Sequence, residues 1–193
     1  NGYLNAFREK KFLGFAMAGA IGAGSIFAFV TGAPLTFLSY FHLNEQQFGW
    51  VFAIIASGII SASQLNTLLL KRRTSFQIVS FALPAQFLVG SLMVVGAYMD
   101  FLNMYSLIFL LFIMLAFQGL IFPNMATIAL KPIEKNAGSA SALMGALQMA
   151  IGSLSASFVS LLFTGDSTAM ALIMCGSTGI ATIIFFYNRR YQM

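Results

Sequence analysis

The chain has 193 residues, of which 59% are hydrophobic and only 8% are charged, with a net charge of +5. A water-soluble domain carries about a quarter charged residues, so this chain has too few polar side chains to cover a surface that faces water. Its single cysteine, Cys175, and single histidine, His42, exclude an internal disulfide and a metal site built from His and Cys. We therefore predict an all-α, polytopic membrane protein without a cofactor.

Six apolar runs follow one another, each long enough for the about 20 residues that cross the hydrocarbon core. They are separated by the short segments HLNEQ, KRRTS, DFLNM, KPIEKNA and TGD. The predicted bundle occupies 12–187, between a cytoplasmic linker over 1–11 and a cytoplasmic tail over 188–193. Within it we predict membrane-spanning helices over approximately 12–41, 47–70, 76–98, 104–130, 138–163 and 167–187.

The first and fourth runs each contain a proline, Pro34 in VTGAPLTF and Pro123 in LIFPNMAT. The first run is predicted to cross outward and the fourth inward, so the two prolines lie near opposite membrane faces. Interrupted helices at corresponding positions are typical of transporters built from two inverted three-helix repeats. The alternative is coincidence, because prolines are common in membrane helices and Pro84 in the third run has no counterpart in the sixth.

Polar, aromatic and Met side chains line up on helix faces in three of the predicted helices. Pro34 shares a face with Phe27 and Thr31, and Gln118 shares one with Phe122 and Met125. On the fifth helix Ser141, Met144 and Gln148 line up. Such faces are typical of an amphipathic cavity, and we predict gating bends at the two prolines. For the glutamines, hydrogen bonding between helices is an equal alternative, because a buried amide needs a partner. The predicted substrate-binding residues are Phe27 and Thr31 in the first helix, Gln118 and Phe122 in the fourth, and Gln148 in the fifth.

The fifth run carries a stripe of small residues with steps of four, three, seven and four. Small residues at helical spacing let two backbones approach closely, which is how helices associate in lipid. We predict that this stripe packs against a partner bundle. Its members are Gly138, Ala142, Gly145, Gly152 and Ala156.

No predicted helix interior contains Asp, Glu, Lys, Arg or His. The segment GSTG at 176–179 superficially resembles a nucleophile motif, but the only candidate base is His42 in a distant turn. Short Gly and Ser strings in membrane helices more often serve packing. The sequence therefore predicts that the protein is not an enzyme.

The cations all fall at one side of the predicted bundle, while the three turns of the other side hold Glu45, Asp100 and Asp166 with no cation. Because cytoplasmic loops collect Lys and Arg, this pattern predicts that both termini are cytoplasmic. The alternative, that charges merely sit in loops, does not explain three turns without a cation. The cations are Arg8, Lys10, Lys11, Lys71, Arg72, Arg73, Lys131, Lys135, Arg189 and Arg190.

Most of the chain resembles the C-terminal half of the bicyclomycin-resistance (Bcr/CflA) group of drug/proton antiporters, in the major facilitator superfamily. FREKKFLGFAMAGAIGAGSIFAFVTGAPLTFL and LNEQQFGWVFAI resemble that group's seventh helix, outer loop and the start of its eighth helix. SQLNTLLLKRR resembles the eighth helix and its cytoplasmic turn. The most specific match is LIFPNMATIALKPIEKNAGSASALMGALQMAIGSL, which is similar to its tenth and eleventh helices.

The resemblance implies multidrug efflux by proton antiport in the bacterial inner membrane, through alternating access between two six-helix halves. The first and fourth helices would then line the cavity, the second and fifth would border the N-terminal half, and the third and sixth would face lipid. The turn Lys71–Arg73 would help to hold the cytoplasmic gate. The group often has Ser where this chain has Ala33, which removes one polar contact.

A chain that begins with Asn-Gly-Tyr is expected to be a fragment or a processed piece. Its partners would be the N-terminal half, membrane lipid, protons and a small amphipathic drug. The alternative function is a self-contained six-helix channel, small carrier or membrane anchor. That protein would bury the small-residue stripe internally or in a homodimer, and its reading frame would begin just before Asn1.

Overall fold

The computed structural model describes residues 9–189, except the side chains of 134–136. All six predicted helices are present and are long and apolar enough to cross a membrane. Their ends lie within two residues of the predicted ones, so the predicted all-α fold is confirmed. The helices are α1 (Lys10–Pro34, continued by a π-helical turn over Leu35–Tyr40), α2 (Glu45–Leu69), α3 (Ser75–Tyr98), α4 (Met104–Leu130), α5 (Ala137–Leu162) and α6 (Thr168–Asn188).

Local polar residues in the separators set where α2 and α3 begin. The Asn44 side chain accepts a hydrogen bond from the Gln47 backbone at 2.8 Å, and the Gln47 side chain accepts one from the Asn44 backbone at 3.0 Å. Thr74 and Gln77 form the same reciprocal pair at the start of α3. Each pair satisfies two backbone N–H groups that the helix itself leaves free.

The winding of the first helix changes after Pro34. The proline lacks an N–H donor, and the next six residues adopt the wider π-helical turn. The backbone N–H of Phe41 donates to the carbonyl of Thr36 at 3.0 Å, five residues back. In α4, by contrast, the α-helix runs through Pro123 to Leu130. The interruption is therefore confined to α1.

The helices pack as two interleaved trios. Helix α1 packs mainly on α5 and α6, whereas α4 packs mainly on α2 and α3. Contacts of α1 with α4 and of α3 with α6 join the two groups. The main contacts of α1, α2 and α3 correspond to those of α4, α5 and α6, taken in that order. Such a correspondence is expected for two equivalent three-helix repeats.

Helices α2 and α4 approach closely enough for backbone contact. A Cβ atom added at Gly58 would lie 2.6 Å from the carbonyl oxygen of Phe112, and one added at Gly119 would lie 2.5 Å from the carbonyl oxygen of Ile59. Each helix thus presents a glycine to the backbone of the other. This reciprocal arrangement needs the absence of a side chain at both positions.

Burial is uneven among the helices. In α1, 61% of the residues in the apolar stretch are buried within the chain, against 17% in α2 and 28% in α5. Helix α1 is therefore the centre of the bundle. Helices α2 and α5 lie at its margins, and most of their surface has no partner within the described chain.

The described cations lie at one end of the bundle. Ring contacts of Phe185, near the end of α6, with Phe15 in α1 and Phe76 in α3 show that these helix ends meet. Lys71, Arg72 and Arg73 are exposed in the turn at the same end. Arg8 and Arg190 lie outside the described residues, and Lys135 is among the side chains not described.

Candidate functional site

The predicted substrate-binding residues differ in their exposure. Phe122 on α4 is 46% exposed. Phe27 and Thr31 on α1 and Gln148 on α5 are half-buried. Gln118 is only 2% exposed. Four of the five therefore reach the surface of the bundle, and one lies inside it.

Phe27 and Gln148 lie on adjoining surfaces of α1 and α5. The ring of Phe27 packs directly over Gly152, where an added Cβ would collide with it. Gln148 is one turn before Gly152 on the same helix, so its side chain shares that face. Among the ring contacts of the described residues, none joins Phe27 to Phe122. The structure thus brings Phe27 of α1 and Gln148 of α5 to adjoining surfaces.

Gln118 takes part in a buried hydrogen-bond network that connects three helices. Gln86 on α3 donates from Nε2 to Gln118 Oε1 at 2.9 Å and to the Met114 carbonyl, also at 2.9 Å. The hydroxyl of Ser25 on α1 lies 3.5 Å from the same Gln118 oxygen. These contacts support hydrogen bonding between helices, rather than contact with substrate, as the role of Gln118.

The sequence did not single out Gln86 or Ser25 of this network, and Gln86 is its most buried member. Gln86 is fully buried, and its Oε1 has no hydrogen-bond partner among the described residues. Its sequence position could have indicated this role. An amide without a partner is costly in hydrocarbon, so a glutamine in a helix predicted to face lipid should point into the bundle. Its position shows that α3 also presents a polar face to the bundle interior.

A second polar seam joins α2 to α4 beside Pro123. Asn124 donates from Nδ2 to Asn66 Oδ1 at 2.6 Å, and both side chains are buried. The hydroxyl of Ser63 donates to the carbonyl of Gly119 at 3.2 Å. Because Pro123 has no N–H, that carbonyl lacks its usual helical donor. The α2 hydroxyl therefore satisfies a group that the proline left free.

Replacing Asn66 by alanine should destabilise the protein by about 1 kcal/mol, because Asn124 loses its side-chain partner on α2. The melting temperature of the detergent-solubilised protein would show the loss. Gln64→Ala is the matched control, since Gln64 is exposed on the same helix. Equal melting temperatures for Asn66→Ala and the parent would show that this bond adds nothing to the α2–α4 interface.

The small-residue stripe on α5 is divided between two environments. Gly138 and Ala142 are exposed, and an added Cβ at Gly145 would have no neighbour within 4 Å. Gly152 is buried against Phe27, so it contributes to packing between α1 and α5 and is not open to a partner bundle. Ala156 is half-buried. The surface available to a partner is therefore the first half of the stripe.

These features define a class of protein. Six membrane-spanning helices in two interleaved trios, with α2 and α5 largely uncovered, are consistent with one half of a major facilitator transporter. The sequence comparisons agree with this class, although no family model matches the chain.

The chain is 25% identical to the Bicyclomycin resistance protein homolog of Haemophilus influenzae over 185 residues, which cover 96% of this chain and 46% of that protein. It is also 25% identical to the Uncharacterized MFS-type transporter YdgK of Bacillus subtilis over 186 residues, 93% of this chain and 44% of that protein. The chain thus spans about half the length of the curated relatives it matches. The predicted resemblance to the bicyclomycin-resistance group of the major facilitator superfamily is confirmed.

Proposed function

We propose that this chain is the C-terminal half of a secondary active transporter that exports drug-like compounds by proton antiport. The observation that carries the proposal is its similarity, along nearly its whole length, to less than half of a bicyclomycin resistance protein homolog. The missing partner would be the N-terminal six-helix half. The transporter would lie in the bacterial inner membrane, with both termini of this chain cytoplasmic.

The uncovered faces of α2 and α5 support a partner bundle of this kind. On α2, Ile60 and Leu65 are 64% and 56% exposed, and on α5, Met149 is 62% exposed. In the proposed transporter these faces border the other half, together with Gly138, Ala142 and Gly145. The turn Lys71–Arg73 would help to close the cytoplasmic gate between the halves.

The substrate would contact the cavity-facing sides of α1, α4 and α5. Phe27, Thr31, Phe122 and Gln148 supply aromatic, hydroxyl and amide groups at the surface of the bundle, a combination suited to an amphipathic drug. Gln118 would meet substrate only if its bond with Gln86 opened. Rocking of the halves would use the change of winding after Pro34 and a bend near Pro123.

Proton coupling in this proposal relies on groups outside these helices. The described α1–α6 place no carboxylate in their apolar interiors, and the acidic residues Glu45, Asp100 and Asp166 lie at helix ends. The family resemblance implies that the coupling carboxylates belong to the N-terminal half. This chain would supply one wall of the cavity and half of the moving structure.

Replacing Phe122 by alanine should change the export of several drugs unequally, by about three- to tenfold for the most affected, because an aromatic contact is worth about 1 kcal/mol. Proton-driven export would be measured in vesicles that contain the product of the complete reading frame. Phe109→Ala is the matched control, since Phe109 is an exposed phenylalanine on another face of α4.

Equal effects of Phe122→Ala and Phe109→Ala, or unchanged rates for both, would contradict the proposed cavity surface.

The reading frame upstream of Asn1 tests the pairing of halves. Six further apolar runs would support it. A start codon immediately before Asn1 would instead favour the self-contained channel, carrier or anchor.

A further inference from the structure

A cleft opens between α2 and α3 at the cation-bearing end of the bundle. Both helices pack on α4 but make little contact with each other, so α4 forms the floor between them. The cleft has a volume of about 350 Å³ and is lined by Leu69 and Arg73 on one side, by Gln77, Ile78 and Phe81 on the other, and by Leu120 of α4 below.

The lining is polar at the mouth and apolar in depth. Arg73 and Gln77 lie in or next to the turn, whereas Phe81 is four residues after Gln77, about 6 Å further along the helix axis. The Phe81 side chain is 70% exposed and its ring lies 6.5 Å from that of Phe117 on α4. A ligand that fits must combine a polar head with an apolar chain.

A head with negative charge fits the mouth of the cleft best. Arg73 is exposed, and within the part of the chain whose side chains are described it forms no ion pair. Lys71 and Arg72 lie in the same turn and add to the positive potential at the mouth. A guanidinium with free donors is well suited to bind a phosphate group through two hydrogen bonds.

We infer that this cleft binds one anionic phospholipid, with its phosphate at Arg73 and an acyl chain along Ile78, Phe81 and Leu120. A phospholipid is favoured over a soluble anion because the deep wall of the cleft is apolar and faces the space that hydrocarbon occupies in a membrane. The site shares α4 with the proposed drug surface and Arg73 with the proposed gate, but it includes none of the predicted substrate-binding residues. Its test measures lipid contact and does not require transport.

A fluorescent reporter in the cleft tests this site. In the product of the complete reading frame, Phe81→Trp places an indole beside the proposed acyl chain, and subtracting the emission of the parent isolates its signal. The protein would be reconstituted in phosphatidylcholine vesicles that contain either brominated phosphatidylglycerol or brominated phosphatidylcholine at equal mole fraction. We expect an apparent preference for the anionic lipid of about fivefold, the factor that about 1 kcal/mol per cation near the membrane surface gives.

Arg73→Gln in the reporter background should reduce this preference nearly to one. Lys71→Gln is the control, because it removes the same charge from the same turn but does not line the cleft, and it should keep most of the preference. No preference in the reporter protein would overturn the site. Equal losses in the two variants would also overturn it, since they would indicate attraction by the turn as a whole. Loss of the preference in millimolar inorganic phosphate would show that a free anion is the ligand instead.

Discussion

Gly119→Ala should destabilise the protein by about 1–3 kcal/mol, although alanine is normally the better residue in a helix. The added methyl group would lie 2.5 Å from the carbonyl oxygen of Ile59 and 3.2 Å from the side chain of Ala62. A backbone carbonyl cannot turn aside as a side chain can, so α2 would have to move away from α4. That movement would also lengthen the Ser63 and Asn66 hydrogen bonds. The loss would be measured as a lower melting temperature in detergent.

Gly176→Ala is the control for this prediction. Gly176 lies within α6, and an added Cβ there has no neighbour within 4 Å. This variant should melt at the parent temperature or above it, since only the helix-propensity gain remains. Gly58→Ala, which meets the Phe112 carbonyl from the other helix, should behave like Gly119→Ala. A Gly119→Ala protein as stable as the parent would contradict the close backbone contact between α2 and α4.

The amide network predicts an unequal pair of effects. Gln118→Leu should cost about 1–3 kcal/mol, because it removes one acceptor of the buried Gln86 Nε2 while the Gln86 Oε1 stays unpartnered. Gln86→Leu should cost less, since it also removes that unpartnered oxygen. The double leucine variant should be more stable than the sum of the single losses predicts. A double-mutant cycle built from the free energies of unfolding of the parent, the two single variants and the double variant measures this coupling.

Export measurements on the same variants separate the two roles considered for Gln118. If Gln118 acts only between helices, Gln86→Leu and Gln118→Leu should lower the export of all drugs in parallel. A change of drug profile in Gln118→Leu alone would instead show direct contact with substrate. Additive stability losses in the double variant would contradict the hydrogen bond between the two amides.

The helix ends could be read from the sequence because each has a local cause. Apolar runs of membrane-spanning length set the helices, and polar separators such as HLNEQ and KRRTS contain their own capping residues, Asn44 and Thr74. Hydrocarbon leaves the backbone no other partner, so the same pattern has few alternative structures. The π-helical turn after Pro34 was not predictable in this way, since Pro84 and Pro123 lack the same N–H donor and interrupt neither α3 nor α4.

The contacts between helices depend on long-range packing and were harder to predict from the sequence. On α2 the polar residues Ser61 and Gln64 are exposed, whereas their neighbours Ser63 and Asn66 form the bonds to α4. A rotation of about 100° per residue decides which of them faces a neighbour, and the neighbour is fixed only in the folded bundle. Gly152 likewise follows the periodicity of the stripe, while its environment is set by Phe27 of another helix.

The interleaving of the trios has a consequence for biosynthesis. Among these six helices α1 precedes the others in the chain, but its main partners α5 and α6 are made last, after α2, α3 and α4. Contacts between such distant segments form slowly, because the intervening chain must be made and positioned first. During that interval the parts of α1 that later pack on α5 and α6, among them Gly22 and Gly24, must face lipid or other protein segments. The helix that ends up most deeply enclosed in this bundle therefore waits longest for its partners.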